Sequence, residues 1–178
     1  MMKPMNVELE KAYKLLYPRL TILVSSGVDE ENAMTVGWSS PVSFKPPLIG
    51  VSISPERYTH EIINETGLFG VNVPTKEIAK EAYYFGTESG KNLNKFKESN
   101  LTPTKGKTGV CLVKECPAVL ECEVKDAPTY GDHTFFIGEI KNAETEEDYL
   151  QENGFPDPKK GMIFWNSSGD KTDYWTFK

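Results

Sequence analysis

The chain has 178 residues, of which 38% are hydrophobic and 26% are charged, and its formal net charge is -6. This length and composition predict one globular domain over residues 1–178 with room for one substantial core. The acidic balance disfavours a nucleic-acid partner. No apolar run is long enough to span a bilayer, and the N-terminus lacks the apolar region of a signal peptide, so we expect no membrane association and a cytoplasmic location.

The cysteines and histidines do not form a disulfide or metal-binding pattern. The number of cysteines is odd, and no C-x-x-C pair occurs among Cys111, Cys116 and Cys122. The only two histidines, His60 and His133, lie far from them in the sequence. We therefore expect neither a disulfide framework nor a metal site.

The first third of the chain favours strands. Residues 7–17 are predicted to form a short helix that Pro18 ends. Three apolar runs rich in β-branched residues then predict strands, with a hairpin between the first two, over residues 19–25, 33–40 and 48–54. The segment 44–47 (FKPP) separates the second strand from the third.

The hydrophobic period then changes to that of helices. Residues 59–65 are predicted to form a short helix with Thr59 as its N-cap and Gly67 at its end. A strand, a second helix and one or two further helical turns are expected over residues 68–73, 76–85 and 92–98.

The last third returns to strands. Alternation over residues 120–125 predicts a strand whose solvent-exposed face carries Glu121, Glu123 and Lys125. Further strands are expected over residues 133–141, 161–165 and 174–177. The aromatic residues of the C-terminal stretch fit a core, a dimer interface or a cover over a pocket: Phe164, Trp165, Tyr174 and Trp175. Five lysines with acidic neighbours predict a solvated face: Lys91, Lys95, Lys97, Lys105 and Lys107.

Six or more short strands joined by turns, with two or three short helices, predict a mostly β barrel or sandwich of the all-β or α+β class. No G-x-G-x-x-G follows a predicted strand and no Walker lysine motif is present. A Rossmann dinucleotide site and a P-loop are therefore unsupported.

A cluster of polar residues at the end of the third strand is suited to an anion. Ser52 and Ser54 leave the strand, Arg57 follows in a turn, and Thr59 opens a helix. A helix N-terminus and a guanidinium both favour a phosphate group. The alternative is that the serines face solvent and Thr59 is only a cap, and this segment alone does not decide between the two.

Two other segments carry candidate chemistry. Asn32, Met34, Thr35 and Trp38 lie on one predicted strand and could offer a flat flavin ring both a stacking surface and polar partners. Taken alone, the strand fits better as one face of a core. The turn at Gly131-Asp132-His133 could bind an anion or move a proton, although a lone histidine is more often structural.

In their shared order and spacing, these segments resemble the flavin reductase-like family, which has the FMN-binding split-barrel fold with Greek-key topology. The matching segments run from about residue 17 to about residue 144, and the likeness is greatest to the flavoredoxin branch. The sequence segments that carry the resemblance are NAMTVGW (32–38), KPP (45–47), VSIS (51–54) with RYT (57–59), GLFGVNV (67–73), SG (89–90) with KF (95–96), CP (116–117) with EC (121–122), and GDH (131–133) with GE (138–139).

The resemblance implies a homodimer with noncovalent FMN near the interface. Asn32, Met34 and Thr35 would line the flavin ring and ribityl chain, with Trp38 supporting the strand or shielding the ring. The ribityl and phosphate groups would be held by Ser52, Ser54, Arg57 and Thr59, with Ser89 and Lys91 reaching the phosphate. His133 is the candidate catalytic residue near the flavin and a nicotinamide.

The activity implied by the resemblance is that of an FMN oxidoreductase. NADH or NADPH would reduce the flavin, and electrons would pass to free flavin, ferric iron, oxygen or a protein acceptor. The alternative is an electron-transfer flavoprotein of the flavoredoxin type without its own NAD(P)H activity. Neither the donor, the acceptor nor the role of residues 148–178 follows from the sequence.

Overall fold

The computed structural model describes residues 5–167 and 172–176. In chain order its strands are β1 (Arg19–Leu20), β2 (Ile22–Ser26), β3 (Asn32–Val36), β4 (Ser39–Phe44), β5 (Pro47–Ile53), β6 (Leu68–Val73), β7 (Pro103–Lys105), β8 (Cys111–Val113), β9 (Ala118–Asp126), β10 (Thr129–Tyr130), β11 (His133–Thr145), β12 (Phe164–Ser167) and β13 (Thr172–Trp175). The α-helices are α1 (Tyr58–Thr66) and α2 (Ala79–Thr87), and shorter 3-10 helices cover Leu9–Leu16, Lys76–Ile78, Glu147–Tyr149 and Pro158–Lys160.

The main sheet curls into a partial barrel. Its antiparallel strands follow the order β3-β2-β6-β9-β11-β5-β4, and β10 pairs with β11 at its side. Strands β3 and β4 lie at opposite edges of this order, although only Gly37 and Trp38 separate them in the chain. The edges therefore approach each other, and the backbone N–H of Ser52 on β5 donates to the Trp38 carbonyl at 2.9 Å. The predicted mostly β split barrel is confirmed.

Strand β2 separates two hydrophobic cores. Because side chains alternate along a strand, Ile22 and Val24 point into the barrel while Leu23 points the other way. The barrel core also contains Ile63 of α1, and the second core includes Phe85 of α2. α1 and α2 therefore pack on opposite faces of the sheet at β2, and both contact β3.

Several predicted elements are confirmed. The hairpin of β2 and β3 is present, the predicted strand over 68–73 has the bounds of β6, and α1 ends at Gly67 in the left-handed conformation with φ 66°. The 44–47 segment is the tight turn between β4 and β5.

Other predicted elements are wrong in detail. The strand expected over 33–40 is interrupted at Gly37 and Trp38, which carry the chain from one sheet edge to the other. The helical turns expected over 92–98 are a series of turns, and the N-terminal helix is a 3-10 helix with no buried residue. The predicted strand over 174–177 reaches Phe177, which lies outside the described residues.

The solvent-exposed face predicted for β9 is wrong at Glu121. This carboxylate is 1% exposed and accepts hydrogen bonds from the backbone N–H groups of Lys107 and Thr108, at 3.0 and 2.6 Å. Hydroxyl and amide donors add two more, from Thr108 Oγ1 at 2.6 Å and Asn142 Nδ2 at 2.8 Å. The loop before β8 folds over the strand and satisfies this carboxylate, which a local alternation pattern does not reveal.

Near the C-terminus, Trp165 of β12 packs on the second core, and its ring lies 5.7 Å from that of Tyr83. This agrees with the interpretation of the C-terminal aromatic residues as core residues at that position. The side chains of Tyr174 and Trp175 lie outside the described part. Among the described residues, no helix is long and apolar enough to cross a membrane.

Candidate functional site

A pocket forms where β3, the start of α1 and the segment after α2 meet. It brings together five of the residues predicted for the cofactor: Asn32, Met34, Arg57, Thr59 and Ser89. The end of α2, at Gly86, and the segment after it complete the lining with residues that include Glu88, Gly90 and Lys95. These residues are distant in sequence, and they meet because α2 packs on β3 in the second core.

A buried hydrogen bond joins the two sides of this pocket. Asn32 Nδ2 donates to Thr59 Oγ1 at 2.7 Å, and the two residues are 4% and 2% exposed. The prediction that Thr59 is the N-cap is wrong, because Arg57 occupies that position and Thr59 lies in the first turn of α1. The Thr59 hydroxyl instead accepts a hydrogen bond from the Asn32 amide and so orients this amide at the N-terminus of α1.

The N-terminus of α1 is open toward the pocket. No side chain caps it, and a helix leaves its first backbone N–H groups without internal partners. These groups carry partial positive charge, and the Arg57 side chain at the N-cap adds a full one. The helix terminus and the guanidinium of the predicted anion site therefore lie on the same wall of the pocket, and anion binding there stays a prediction.

Lys95 adds a second cation that the sequence analysis placed on a solvated face. That assignment is wrong, because Lys95 is 4% exposed and lines the pocket. Its ammonium donates to the carbonyls of Phe85 and Glu88, at 3.1 and 3.3 Å, which closes the C-terminal end of α2. No ion pair to Lys95 forms within the described part of the chain. Burial, together with the charge of Arg57, lowers the pKa of Lys95 to about 8.

The loop after α2 lies close against the pocket. A Cβ at Gly90 would overlap Oδ1 of Asn32 and would come within 3.0 Å of the Tyr58 ring, so only glycine fits this approach. Lys91 faces outward and forms an ion pair of 2.7 Å with Glu61 on α1. Lys91 therefore does not line the pocket in this structure but joins the loop to the helix.

The remaining predicted residues of the first half lie around this pocket. Thr35 donates a hydrogen bond to the Ala82 carbonyl and packs against Gly86, which lines the pocket. Ser52 lies on β5 opposite Phe135 of β11, and the backbone N–H of Glu56 donates to Ser54 Oγ at 3.4 Å. Neither serine side chain lines the pocket.

Trp38 and His133 form a separate aromatic group. Their ring centroids are 4.8 Å apart with planes tilted by 36°, and His133 Nδ1 lies 2.7 Å from a carboxylate oxygen of Asp132. Tyr13 of the N-terminal 3-10 helix contacts the Trp38 ring edge-on at 5.6 Å, and Trp38 Nε1 donates to the hydroxyl of Tyr17 at 3.2 Å. The candidate catalytic histidine is therefore held in an oriented position by tryptophan and aspartate.

Sequence reasoning missed the buried state of Lys95 and the tyrosines around Trp38. The one sequence signal for Lys95 was its place beside Phe96 in the segments that carry the family resemblance, and Phe96 is buried as well. No sequence signal pointed to Tyr13, because its contact depends on where the N-terminal segment lies.

The fold is that of the FMN-binding split-barrel proteins, and comparison with known proteins agrees. Residues 15–171 match the family described as flavin reductase like domain. The chain belongs to the flavin reductase-like family.

The relatives of the chain include an uncharacterized protein, a reductase and a flavoredoxin. The chain is 42% identical over 166 residues to an uncharacterized protein of Archaeoglobus fulgidus, covering 93% of each chain. It is 32% identical to a ferric-chelate reductase (NAD(P)H) of the same organism, covering 80% of this chain and 83% of the relative. Its structure is similar to flavoredoxin of Methanosarcina acetivorans, with a TM-score of 0.87, 30% identity, and coverage of 99% and 92%.

Proposed function

We propose that the protein is an oxidoreductase that binds FMN in the pocket of β3, α1 and the α2 loop. The observation that carries the proposal is Lys95, a buried ammonium without a carboxylate ion pair among the described residues. A buried charge is stabilised by a partner of opposite sign. Arg57 and the uncapped start of α1 face the same pocket, so a phosphate group would complete the charge balance.

The rest of the cofactor is proposed to extend from this pocket along β3. Asn32 and Met34 would contact the ribityl chain and ring, with Thr35 and Gly86 at the side of α2. Ser52 on β5 and Ser54 in the turn before Arg57 would hold the ribityl and phosphate groups, and Trp38, which follows β3, would support the strand or shield the ring. When bound, the flavin supplies the redox chemistry, accepting electrons and passing them on.

The protein's own task is to orient the reactants. Trp38 stacks on His133, and Asp132 holds Nδ1 of that ring, so Nε2 is the nitrogen free to donate to or accept from a substrate. We propose NADH or NADPH as donor, supported by the ferric-chelate reductase (NAD(P)H) among the relatives. Free flavin, ferric iron or a protein would be the acceptor.

The visible spectrum of the purified protein after addition of FMN and gel filtration tests this function. We expect flavin bands that stay with the protein and bleach when NADH or NADPH is added without oxygen. Arg57→Ala should lose the retained bands. Turnover of NAD(P)H no faster than with free FMN alone would contradict the enzyme function.

The second candidate function is that of an electron carrier, and the similarity to flavoredoxin favours it. In that case FMN stays bound and a redox protein, not a nicotinamide, supplies the electrons. Retained bands that a reduced redox protein bleaches, and NADH and NADPH do not, would support the carrier. Failure of photoreduced protein to pass electrons to any redox protein tested would exclude it.

We also propose that the chain acts as a homodimer. The outer strand β4 has two exposed apolar side chains, Val42 at 43% and Phe44 at 93% exposure. An exposed apolar edge of a sheet is stabilised when a second surface covers it. Light scattering during gel filtration should give twice the chain mass, and Phe44→Ser should lower the dimer fraction. A monomer at every concentration would contradict the proposal.

A further inference from the structure

The ammonium of Lys95 is buried among groups that stabilise or destabilise its positive charge. Two of its three ammonium donors reach the carbonyls of Phe85 and Glu88, and its nitrogen lies 5.2 Å from the centre of the Phe85 ring. The third donor has no partner among the described residues, and the Lys95 side chain lines the pocket. A group so buried keeps its proton only if nearby negative charge offsets the lost hydration.

The charges around Lys95 are unequal in the protein alone. Arg57, at the start of α1, opposes the protonated state, and Glu88, after α2, favours it. Glu56 lines the pocket but does not pair with Lys95, and Lys91 is engaged with Glu61 outside. Burial and Arg57 prevail, so the pKa of Lys95 falls to about 8.

We propose that Lys95 takes up a proton from solvent when a phosphate-bearing flavin enters the pocket, so that flavin binding and proton uptake are linked. The proposal rests on the proposed function, because the phosphate of FMN is the anion that enters. A dianion beside Lys95 and Arg57 reverses the local charge balance. Above pH 8 the free protein carries neutral Lys95 and the complex carries the ammonium.

The sign of the pH dependence follows from this difference. Well below pH 8 Lys95 is protonated in both states, and binding takes up almost no proton at this site. Well above pH 8 each binding event takes up about one proton, so the Kd for FMN rises by up to about tenfold per pH unit. The phosphate itself does not interfere, because its second ionisation, near pH 6, is complete in this range. Tyr58 does not titrate in this pH range either, because its hydrogen bond to Glu30 and its burial raise its pKa to about 12.

Isothermal titration calorimetry of FMN into the protein tests the inference without any turnover. Repeated at pH 9 in two buffers of different ionisation enthalpy, the titration should report uptake of about one proton, and at pH 7 almost none. Riboflavin has the same ring without the phosphate and should show no uptake at pH 9. Uptake with riboflavin equal to that with FMN would assign the proton to the ring and overturn the inference.

Two variants at the same position complete the test. Lys95→Arg keeps a cation that does not titrate here, so it should bind FMN with no proton uptake and with a Kd that is constant from pH 7 to 9. Lys95→Met should bind more weakly at pH 7 and also without uptake, and circular dichroism would verify that both variants fold. Uptake that persists in Lys95→Arg would overturn the inference. FMN binding by the wild type without uptake would overturn it too while leaving the proposed function intact, whereas no FMN binding at all would reject both.

Discussion

Asn32 on β3 donates a 2.7 Å hydrogen bond from its side-chain amide to the hydroxyl of Thr59 on α1. This contact joins β3, an edge strand of the curled sheet, to α1, whose uncapped N-terminus faces the pocket. Both residues are buried, so water cannot replace either partner. The position of the helix terminus and the direction of the Asn32 amide are therefore fixed together.

Replacing Thr59 by valine tests this connection. Thr59→Val keeps the shape of the side chain but leaves the Asn32 amide without its acceptor, so we expect a loss of about 1–3 kcal/mol in the free energy of unfolding. FMN affinity should fall as well, because Asn32 lines the pocket. Urea unfolding and FMN titration measure the two effects. Thr59→Ser keeps the hydroxyl and should restore most of the stability; equal losses in both variants would show that the bond does not matter.

Gly90→Ala tests the close approach of the loop after α2. The added Cβ would overlap the Asn32 side chain and press on Tyr58, so the loop must lift away from the pocket. We expect weaker FMN binding with little change in the melting temperature, because Gly90 is in a surface loop. Gly37→Ala is the matched control, since a Cβ there meets no atom within 4 Å. If Gly90→Ala bound FMN as well as the wild type did, the loop would not take part in the site.

His133 and Arg57 should affect different steps, because they belong to separate groups in the structure. His133→Ala removes the ring that Trp38 and Asp132 orient, so it should slow reduction of bound FMN by NAD(P)H by about tenfold or more while FMN affinity stays near wild type. Arg57→Ala should lower FMN affinity, while reduction of the bound FMN at saturating FMN should stay near the wild-type rate. Stopped-flow absorbance and FMN titration separate the two effects. A loss of FMN affinity in His133→Ala equal to that in Arg57→Ala would place the histidine at the phosphate instead.

Glu121 should make stability depend on pH in the acid range. Burial alone would raise its pKa, but hydrogen bonds from Thr108, Asn142 and the Lys107 backbone lower it below the ordinary 4.5. A carboxylate with a lowered pKa in the folded state stabilises the fold above its unfolded pKa, and this contribution is lost as pH falls. Glu121→Gln should therefore cost about 1.5–3 kcal/mol at pH 7, and the difference from wild type should shrink below about pH 4.

The neighbouring Glu123 provides the control for that measurement. It pairs with Lys125 and Lys141 at 3.2 and 3.1 Å, but its side chain is 47% exposed. Exposed ion pairs contribute about 0–1 kcal/mol, so Glu123→Gln should change the free energy of unfolding little. Urea unfolding at pH 7 and at pH 4 compares the two variants. Equal effects at both positions would mean that the burial of Glu121 and its hydrogen bonds do not contribute to the free energy of unfolding.

The parts of the fold that local pattern determines were predictable. β6 follows from an apolar run between Gly67 and Pro74, and the end of α1 follows from the left-handed conformation that Gly67 adopts. The placement of Arg57 at the start of α1 was predictable for the same reason, because the two are adjacent in sequence. The interruption at Gly37 and Trp38 was not, since it depends on how far the sheet curls.

Lys95 and Glu121 show why the rest escaped prediction. Lys95 lies in a stretch of polar sequence and Glu121 at a polar position of an alternating strand, and both patterns favour a solvated charge. Each is buried because another segment supplies its partners: the end of α2 for Lys95, and the loop before β8 for Glu121. Single-sequence reasoning sees the charge but not the carbonyl or N–H groups that fold around it.

The pairing of β5 with β11 has a consequence for the time course of folding. Ser52 of β5 lies opposite Phe135 of β11, so the two halves of the chain must meet before this side of the barrel forms. Contacts between residues so distant in sequence form slowly, because closing a long loop costs entropy before the contacts repay it. The pocket of β3, α1 and α2 is lined only by residues from the first 95 positions. The contacts that line it are therefore closer in sequence than those that pair β5 with β11, and we expect this side of the barrel to form before the side that carries His133.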